Sequence, residues 1–126
     1  MVEKISTLGA PKAIGPYSQA IRAGDFLFVS GQLPMNPKTE SIPDTIEEQT
    51  QQSLLNLKAI IEEAGGSISN VVKTVVYLSD IADFGRANEV YSTFFADPYP
   101  ARAAYQVGCL PKNAKIEIEA IVFFDN

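Results

Sequence analysis

The sequence predicts a single α+β domain over residues 1–126: a mixed sheet of about six strands with two helices on one face. Three observations carry that expectation. Short β-branched and aromatic runs fill both ends of the chain, two middle segments repeat apolar residues at helical spacing, and no repeat or flexible linker divides the whole.

Taken in order, residues 2–8 form a short strand. Residues 10–16, Ala-Pro-Lys-Ala-Ile-Gly-Pro, are loop, because proline offers no amide donor and Gly-Pro interrupts regular structure. The runs 17–22 and 26–30 flank Ala23-Gly24-Asp25 and read as a hairpin. Three prolines make residues 31–43 a loop. Thr45 then opens the first helix, since Thr45-x-x-Glu48 fits a capping box. Ile46, Leu54, Leu57, Ile61 and Ala64 share one stripe until Gly65-Gly66 stops it, with Gly65 suited to a left-handed cap. Residues 71–78 are a nearly continuous β-branched run, a strand suited to burial. Asp83 is the expected N-cap of the second helix, on which Phe84, Ala87, Tyr91 and Phe94 share a face. Asp97-Pro98-Tyr99-Pro100 ends it. Residues 101–107 and 116–124 supply the last strands, separated by a loop containing Pro111.

Residues 26–29, 71–78 and 120–124 are apolar on both faces of their strands. Two helices of this length cover only one side of such a sheet, and the other would expose a larger apolar patch than soluble monomers usually carry. Self-association through the open face, most simply in a closed ring, is therefore expected.

Composition excludes whole classes of chemistry. With no His there is no Ser-His-Asp triad, no Cys-His dyad, no HExxH zinc site and no imidazole acid or base. One Cys permits neither an intrachain disulfide nor a thiolate cluster, and Cys109, just before Leu110-Pro111, is expected to pack as a small hydrophobe. No metal and no cofactor are expected. Lys plus Arg number 10 against 15 for Asp plus Glu, a net charge of −5, and the basic residues are scattered. Nucleic acid is an unexpected partner for such a chain, because phosphate binding calls for a basic stripe. The first residues lack a secretion signal's apolar core, and no run reaches the ~20 residues of a membrane span. A cytoplasmic setting without membrane attachment is the expectation.

Two places could carry chemistry. On residues 116–124 a period of two puts Glu117, Glu119, Ile121 and Phe123 on one face. Partial burial and like-charge proximity would both raise a carboxyl pKa and make one Glu a proton-transfer group. The same spacing equally fits two ordinary surface carboxylates. In Pro100-Ala101-Arg102-Ala103-Ala104, a guanidinium after a proline-stiffened turn offers a fixed bidentate donor for a substrate carboxylate. A surface Arg paired with a Glu fits that segment as well. Tyr17 could line a pocket with its hydroxyl, or pack as amphipathic core. Asn88 lies at the edge of the second helix's apolar stripe. Ser30-Gly31 ends a strand where a ligand could approach bare backbone.

Five segments together resemble the RidA/YjgF family of enamine/imine deaminases. They are Ala13-Ile14-Gly15-Pro16-Tyr17-Ser18-Gln19, Val29-Ser30-Gly31-Gln32-Leu33-Pro34, Val72-Lys73-Thr74-Val75-Val76-Tyr77-Leu78, Pro100-Ala101-Arg102 and Lys115-Ile116-Glu117-Ile118-Glu119-Ala120. They fall in order over nearly the whole chain, and their combination is specific where no single one is. The resemblance implies a chorismate-mutase-like fold and a homotrimer with inward-facing sheets and clefts between subunits. It implies that Arg102 clamps the substrate carboxylate and Glu117 positions the attacking water, with Tyr17, Ser30, Gly31 and Asn88 lining the pocket. Many relatives carry Cys two residues after the site Arg; here Ala104 stands there and can contribute only its backbone, which puts thiol-dependent regulation in doubt. The implied activity is hydrolysis of 2-imino acids such as 2-iminobutanoate and 2-iminopropanoate, formed by pyridoxal-phosphate dehydratases, to 2-oxo acids and ammonia. The alternatives are a non-catalytic module for small carboxylates and, more distantly, an RNA-directed translation inhibitor.

Overall fold

The computed structural model describes residues 1–125. Strands β1 (Val2–Ile5), β2 (Ala20–Ala23) and β3 (Phe26–Gln32) lead into helix α1 (Ile46–Glu63). Strand β4 (Val71–Leu78), helix α2 (Phe84–Phe94) and strands β5 (Ala101–Gln106) and β6 (Ile116–Phe123) follow. They build one six-stranded sheet in the order β1-β2-β3-β6-β4-β5. Neighbours are antiparallel except β4 and β5, which run parallel because α2 carries the chain back between them. The last strand in sequence is therefore central in space, paired with β3 on one side and β4 on the other.

Local chemistry sets the ends of α1. The Glu48 amide donates to Thr45 Oγ1 at 3.1 Å, one arm of the expected capping box. The other arm differs: Glu48 Oε1 accepts from the Thr45 hydroxyl at 3.0 Å, not from its amide. At the far end Gly65 takes φ +92, and the amides of Gly65 and Gly66 bond the carbonyls of Glu62 and Ile61, each at 3.0 Å. That pair of bonds is a Schellman stop, and it needs a residue free to adopt positive φ. Asp83 precedes α2 as expected but caps nothing. Its carboxylate is taken by Arg86 Nη2 at 2.8 Å, while Asp80 caps the turn before the helix through the Ala82 amide.

One face of the sheet is the core. Leu27 and Val29 of β3, Thr74, Val76 and Leu78 of β4, and Ile116, Ile118, Ala120 and Val122 of β6 are buried beneath the helices. Leu54, Leu57, Ile60 and Ile61 of α1 close over them with no exposed surface. Each such side chain contributes about 1.5–3 kcal/mol by leaving water. The other face is open: Phe26, Phe28 and Phe123 are 43%, 47% and 37% exposed, with ring centroids 6.4 Å (Phe26–Phe28) and 5.2 Å (Phe26–Phe123) apart. In a single chain, then, β3, β4 and β6 are each buried on one face only.

The remaining departures from the sequence expectations are local. Strand β1 stops at Ile5 because the Gln19 side chain takes the Thr7 amide at 2.7 Å and the Thr7 carbonyl at 3.1 Å, groups a longer strand would pair. Strand β2 starts at Ala20, since the Tyr17 amide is folded back onto the Gly15 carbonyl at 2.9 Å. Strand β3 does not end at Ser30 but continues to Gln32. Cys109 is exposed and does not pack as a core hydrophobe, its segment lying outside the strands and helices.

Candidate active site

The site begins with an irregularity in β3. Val29 pairs with Ala120 and Gln32 with Ile118, so Ser30 and Gly31 together stand opposite Glu119 alone. This bulge turns the backbone at Gly31 toward Glu117. A Cβ on Gly31 would overlap Glu117 Oε2 and sit 2.9 Å from its Cδ, so the carboxylate lies against bare backbone. Only glycine leaves that space. Ser30, beside it, is occupied structurally: its hydroxyl donates to the Ser18 carbonyl at 2.6 Å and its amide to the Gln19 carbonyl at 2.9 Å. Those two bonds fix the loop that carries Tyr17.

Glu117 is half-buried on the open face of β6, and burial, then the neighbouring Glu119 charge, raises its pKa above the ordinary carboxylate range. A cleft of about 620 Å³ runs from Gly31 between the segments at 8–14 and 31–40, lined by Leu8, Ile14, Tyr17, Leu33 and Pro111 among others. Buried amides hold its walls. Gln19 donates to the carbonyls of Ala10 and Pro11 at 3.3 and 2.8 Å, and Asn56 donates to those of Leu33 and Met35 at 3.0 and 2.9 Å. Neither role was legible in the sequence: Asn56 lies beside the stripe of Ile46, Leu54, Leu57, Ile61 and Ala64, and its carbonyl partners are 23 and 21 residues away.

Arg102 is built separately, on the edge strand β5. Its Nη1 donates to Asn88 Oδ1 of α2 at 2.7 Å, and its guanidinium carbon lies 4.8 Å from the Tyr91 ring centroid and 5.2 Å from that of Phe84. Tyr91 is held in turn by Thr74, Oη to Oγ1 2.7 Å, inside the core. The crevice beneath Arg102 and Asn88 measures about 10 Å³, room for no more than one water. A ligand must therefore reach the guanidinium from its exposed side. Ala104, two residues on, packs its methyl against the core.

Strand register fixes how these groups relate. Arg102 stands opposite Thr74, and Thr74 opposite Ala120, on the helix face. Glu117 stands opposite Tyr77, and Tyr77 opposite Tyr105, on the open face. One chain thus brings Glu117, Gly31 and Tyr17 to one region, and Arg102, Asn88 and Ala104 to another across the sheet. No group of three or more Cys, Asp or Glu among the described residues is arranged to hold a metal ion. No helix among them is long and apolar enough to cross a membrane.

Fold and site together define a small α+β protein with a half-buried carboxylate on the open face of its sheet and a guanidinium on the edge strand. The family model described as Endoribonuclease L-PSP matches residues 7–124. The chain is 56% identical to the RutC family protein y4sK of Sinorhizobium fredii over 97% of its own length and 98% of the relative's. It is 52% identical to the 2-iminobutanoate/2-iminopropanoate deaminase of Rattus norvegicus, covering 93% of this chain and 86% of that one. The crystal structure of Escherichia coli TdcF with bound serine superposes with a TM-score of 0.94 at 44% identity, covering 98% of this chain and 99% of that one. The chain belongs to the RidA/YjgF family.

Proposed function

We propose that this protein hydrolyses reactive 2-imino acids, such as 2-iminobutanoate and 2-iminopropanoate, to the 2-oxo acid and ammonia. The observation that carries the reading is the Glu117 carboxylate, half-buried and seated against bare backbone at Gly31 beside an open cleft. The deaminase name of the Rattus norvegicus relative and the serine bound to TdcF, a small 2-amino acid, support the same substrate class.

Imine hydrolysis needs orientation and a proton route more than it needs a strong catalyst. The Arg102 guanidinium, held level by Asn88 and the two rings, grips the substrate carboxylate through its exposed edge. Glu117 takes a proton from water as the water oxygen bonds to the imine carbon. It returns that proton to nitrogen, giving a carbinolamine. The carbinolamine hydroxyl then passes its own proton through Glu117 to the amine as the C–N bond breaks, so ammonia leaves and the carbon keeps oxygen as a ketone. A raised pKa suits both halves of this cycle, since the group must accept a proton and then give it back.

Both groups act on one substrate only if they come from different copies of the chain, because within a chain they face opposite sides of the sheet. The exposed rings of Phe26, Phe28 and Phe123 support a closed homo-oligomer through the open face, and a homotrimer is the assembly we assign. The net charge of −5 and the scattered basic residues favour this small-molecule reading over action on RNA.

The test couples a pyridoxal-phosphate threonine dehydratase to this protein and follows 2-oxobutanoate. Added protein should speed its appearance, and Arg102→Ala should abolish the acceleration while keeping native circular dichroism. Stoichiometric 2-oxo acid binding without acceleration would instead make the protein a carboxylate-binding module.

A further inference from the structure

The open face holds a second polar pair beside Glu117. Tyr77 of β4 stands directly opposite Glu117 in the sheet, yet its hydroxyl passes along the face and donates to Glu119 Oε1 at 2.5 Å. Glu119 is two residues along β6 from Glu117, on the same face, and Val75 is its own partner across the strands. Among the described residues, the phenol is the side chain that ties Glu119 to a fixed position next to the proposed proton-transfer group.

We propose that Tyr77 and Glu119 are positioning residues for Glu117: Tyr77 anchors the Glu119 carboxylate so that its charge stands at a fixed place beside the Glu117 carboxylate. The inference rests on the proposed reading of Glu117 as the group that moves the proton.

Several facts support the link. Tyr77 is pushed up to about 12, first by its hydrogen bond to Glu119, then by burial, so the phenol keeps its proton and remains a donor. Glu119 is the one charged group that acts on Glu117, after burial, in raising its pKa. The other titratable groups on this face stand further off. Tyr105 lies beyond Tyr77 on β5, Lys73 is opposite Ile121 at the other end of β4, and Lys115 precedes the strand. β3 presents Gly31, Phe28 and Phe26, none of them charged, and Tyr17 stands on the loop before β2, across the cleft that starts at Gly31. A guanidinium supplied by a neighbouring copy would act equally in every variant below, so comparison among variants isolates Glu119.

The expected behaviour follows by sign. Glu117 must be ionised to accept a proton, so its titration sets the acid limb of kcat/KM. Glu119→Gln removes the neighbouring charge and moves that limb to lower pH. Tyr77→Phe frees Glu119 to swing away, and moves the limb in the same direction by less. The double variant behaves as Glu119→Gln alone, because Tyr77 acts through Glu119.

The experiment is a carbon-13 NMR titration of the Glu117 carboxyl in the full assembled protein, for the wild type and these three variants, beside their pH–rate profiles. All the changes are near-isosteric, and Tyr77→Phe tests the link by itself should Glu119→Gln fail to assemble. Support is a Glu117 midpoint that falls in Glu119→Gln, falls less in Tyr77→Phe, and falls no further in the double variant. An unmoved midpoint in Glu119→Gln, or full additivity of the two changes, overturns the proposal. The NMR result is independent of turnover. Wild-type activity in Glu117→Gln would refute the proposed reaction while leaving the NMR measurement to judge the pair.

Discussion

Glu117 fills the space in front of Gly31: a side chain at that glycine would overlap Glu117 Oε2 and stand 2.9 Å from its Cδ. The atoms that meet are the far end of a flexible side chain, so the carboxylate, not the strand, gives way. Gly31→Ala should therefore displace Glu117 and lower kcat by about 10²-fold, the scale a misplacement of about 1 Å produces. A crystal structure of the variant and its steady-state rate check this together; wild-type kcat with a displaced Glu117 would remove the carboxylate from the mechanism.

The same burial makes Glu117 a cost to folding. Its folded pKa lies above the unfolded value, because of burial first and Glu119 second. Below the unfolded value, about 4.3, both states are protonated and the group contributes nothing. As pH rises from there, the unfolded chain loses the proton first, so stability falls until the folded pKa is passed. Glu117→Gln removes that loss. Melting temperatures of the two proteins should agree near pH 4 and separate toward neutrality with the variant higher, the reverse of what a stabilising surface carboxylate would give.

Beneath Arg102 the Thr74–Tyr91 bond ties the guanidinium platform to the core, with Thr74 fully buried. Thr74→Val leaves the Tyr91 hydroxyl without its partner and should destabilise the chain by about 1–3 kcal/mol, whereas Thr74→Val with Tyr91→Phe should recover most of that loss. Chemical denaturation of the three proteins reads both numbers. A double variant no more stable than Thr74→Val alone would mean the hydroxyl pair is not the source of the effect.

How much of this was legible in the sequence follows from which constraints are local. The caps and stops of α1, and the period-two placement of Glu117 and Glu119, are written within a few residues and could be read there. The bulge at Ser30-Gly31 was not, because it exists only relative to the register of β6, some 90 residues away. Tyr77 passed as one more strand aromatic, since its acceptor Glu119 is 42 residues distant. Within each strand the facing of Arg102 and Glu117 could be counted. Their opposition across the sheet required knowing that β4 lies between β5 and β6. Asp83 misled for a local reason: Arg86, one turn on, competes for its carboxylate and wins it.

The central claim is that Arg102 of one copy and Glu117 of another complete each site. Mixing Arg102→Ala with Glu117→Gln tests it directly, after joint unfolding and reassembly of two separately inactive proteins. If the two groups come from different copies, random equimolar assembly restores both to about one quarter of the sites, and imine hydrolysis should return to about that fraction of the wild-type rate. A mixed assembly, verified by native mass spectrometry, that remains as inactive as its parents would contradict the claim.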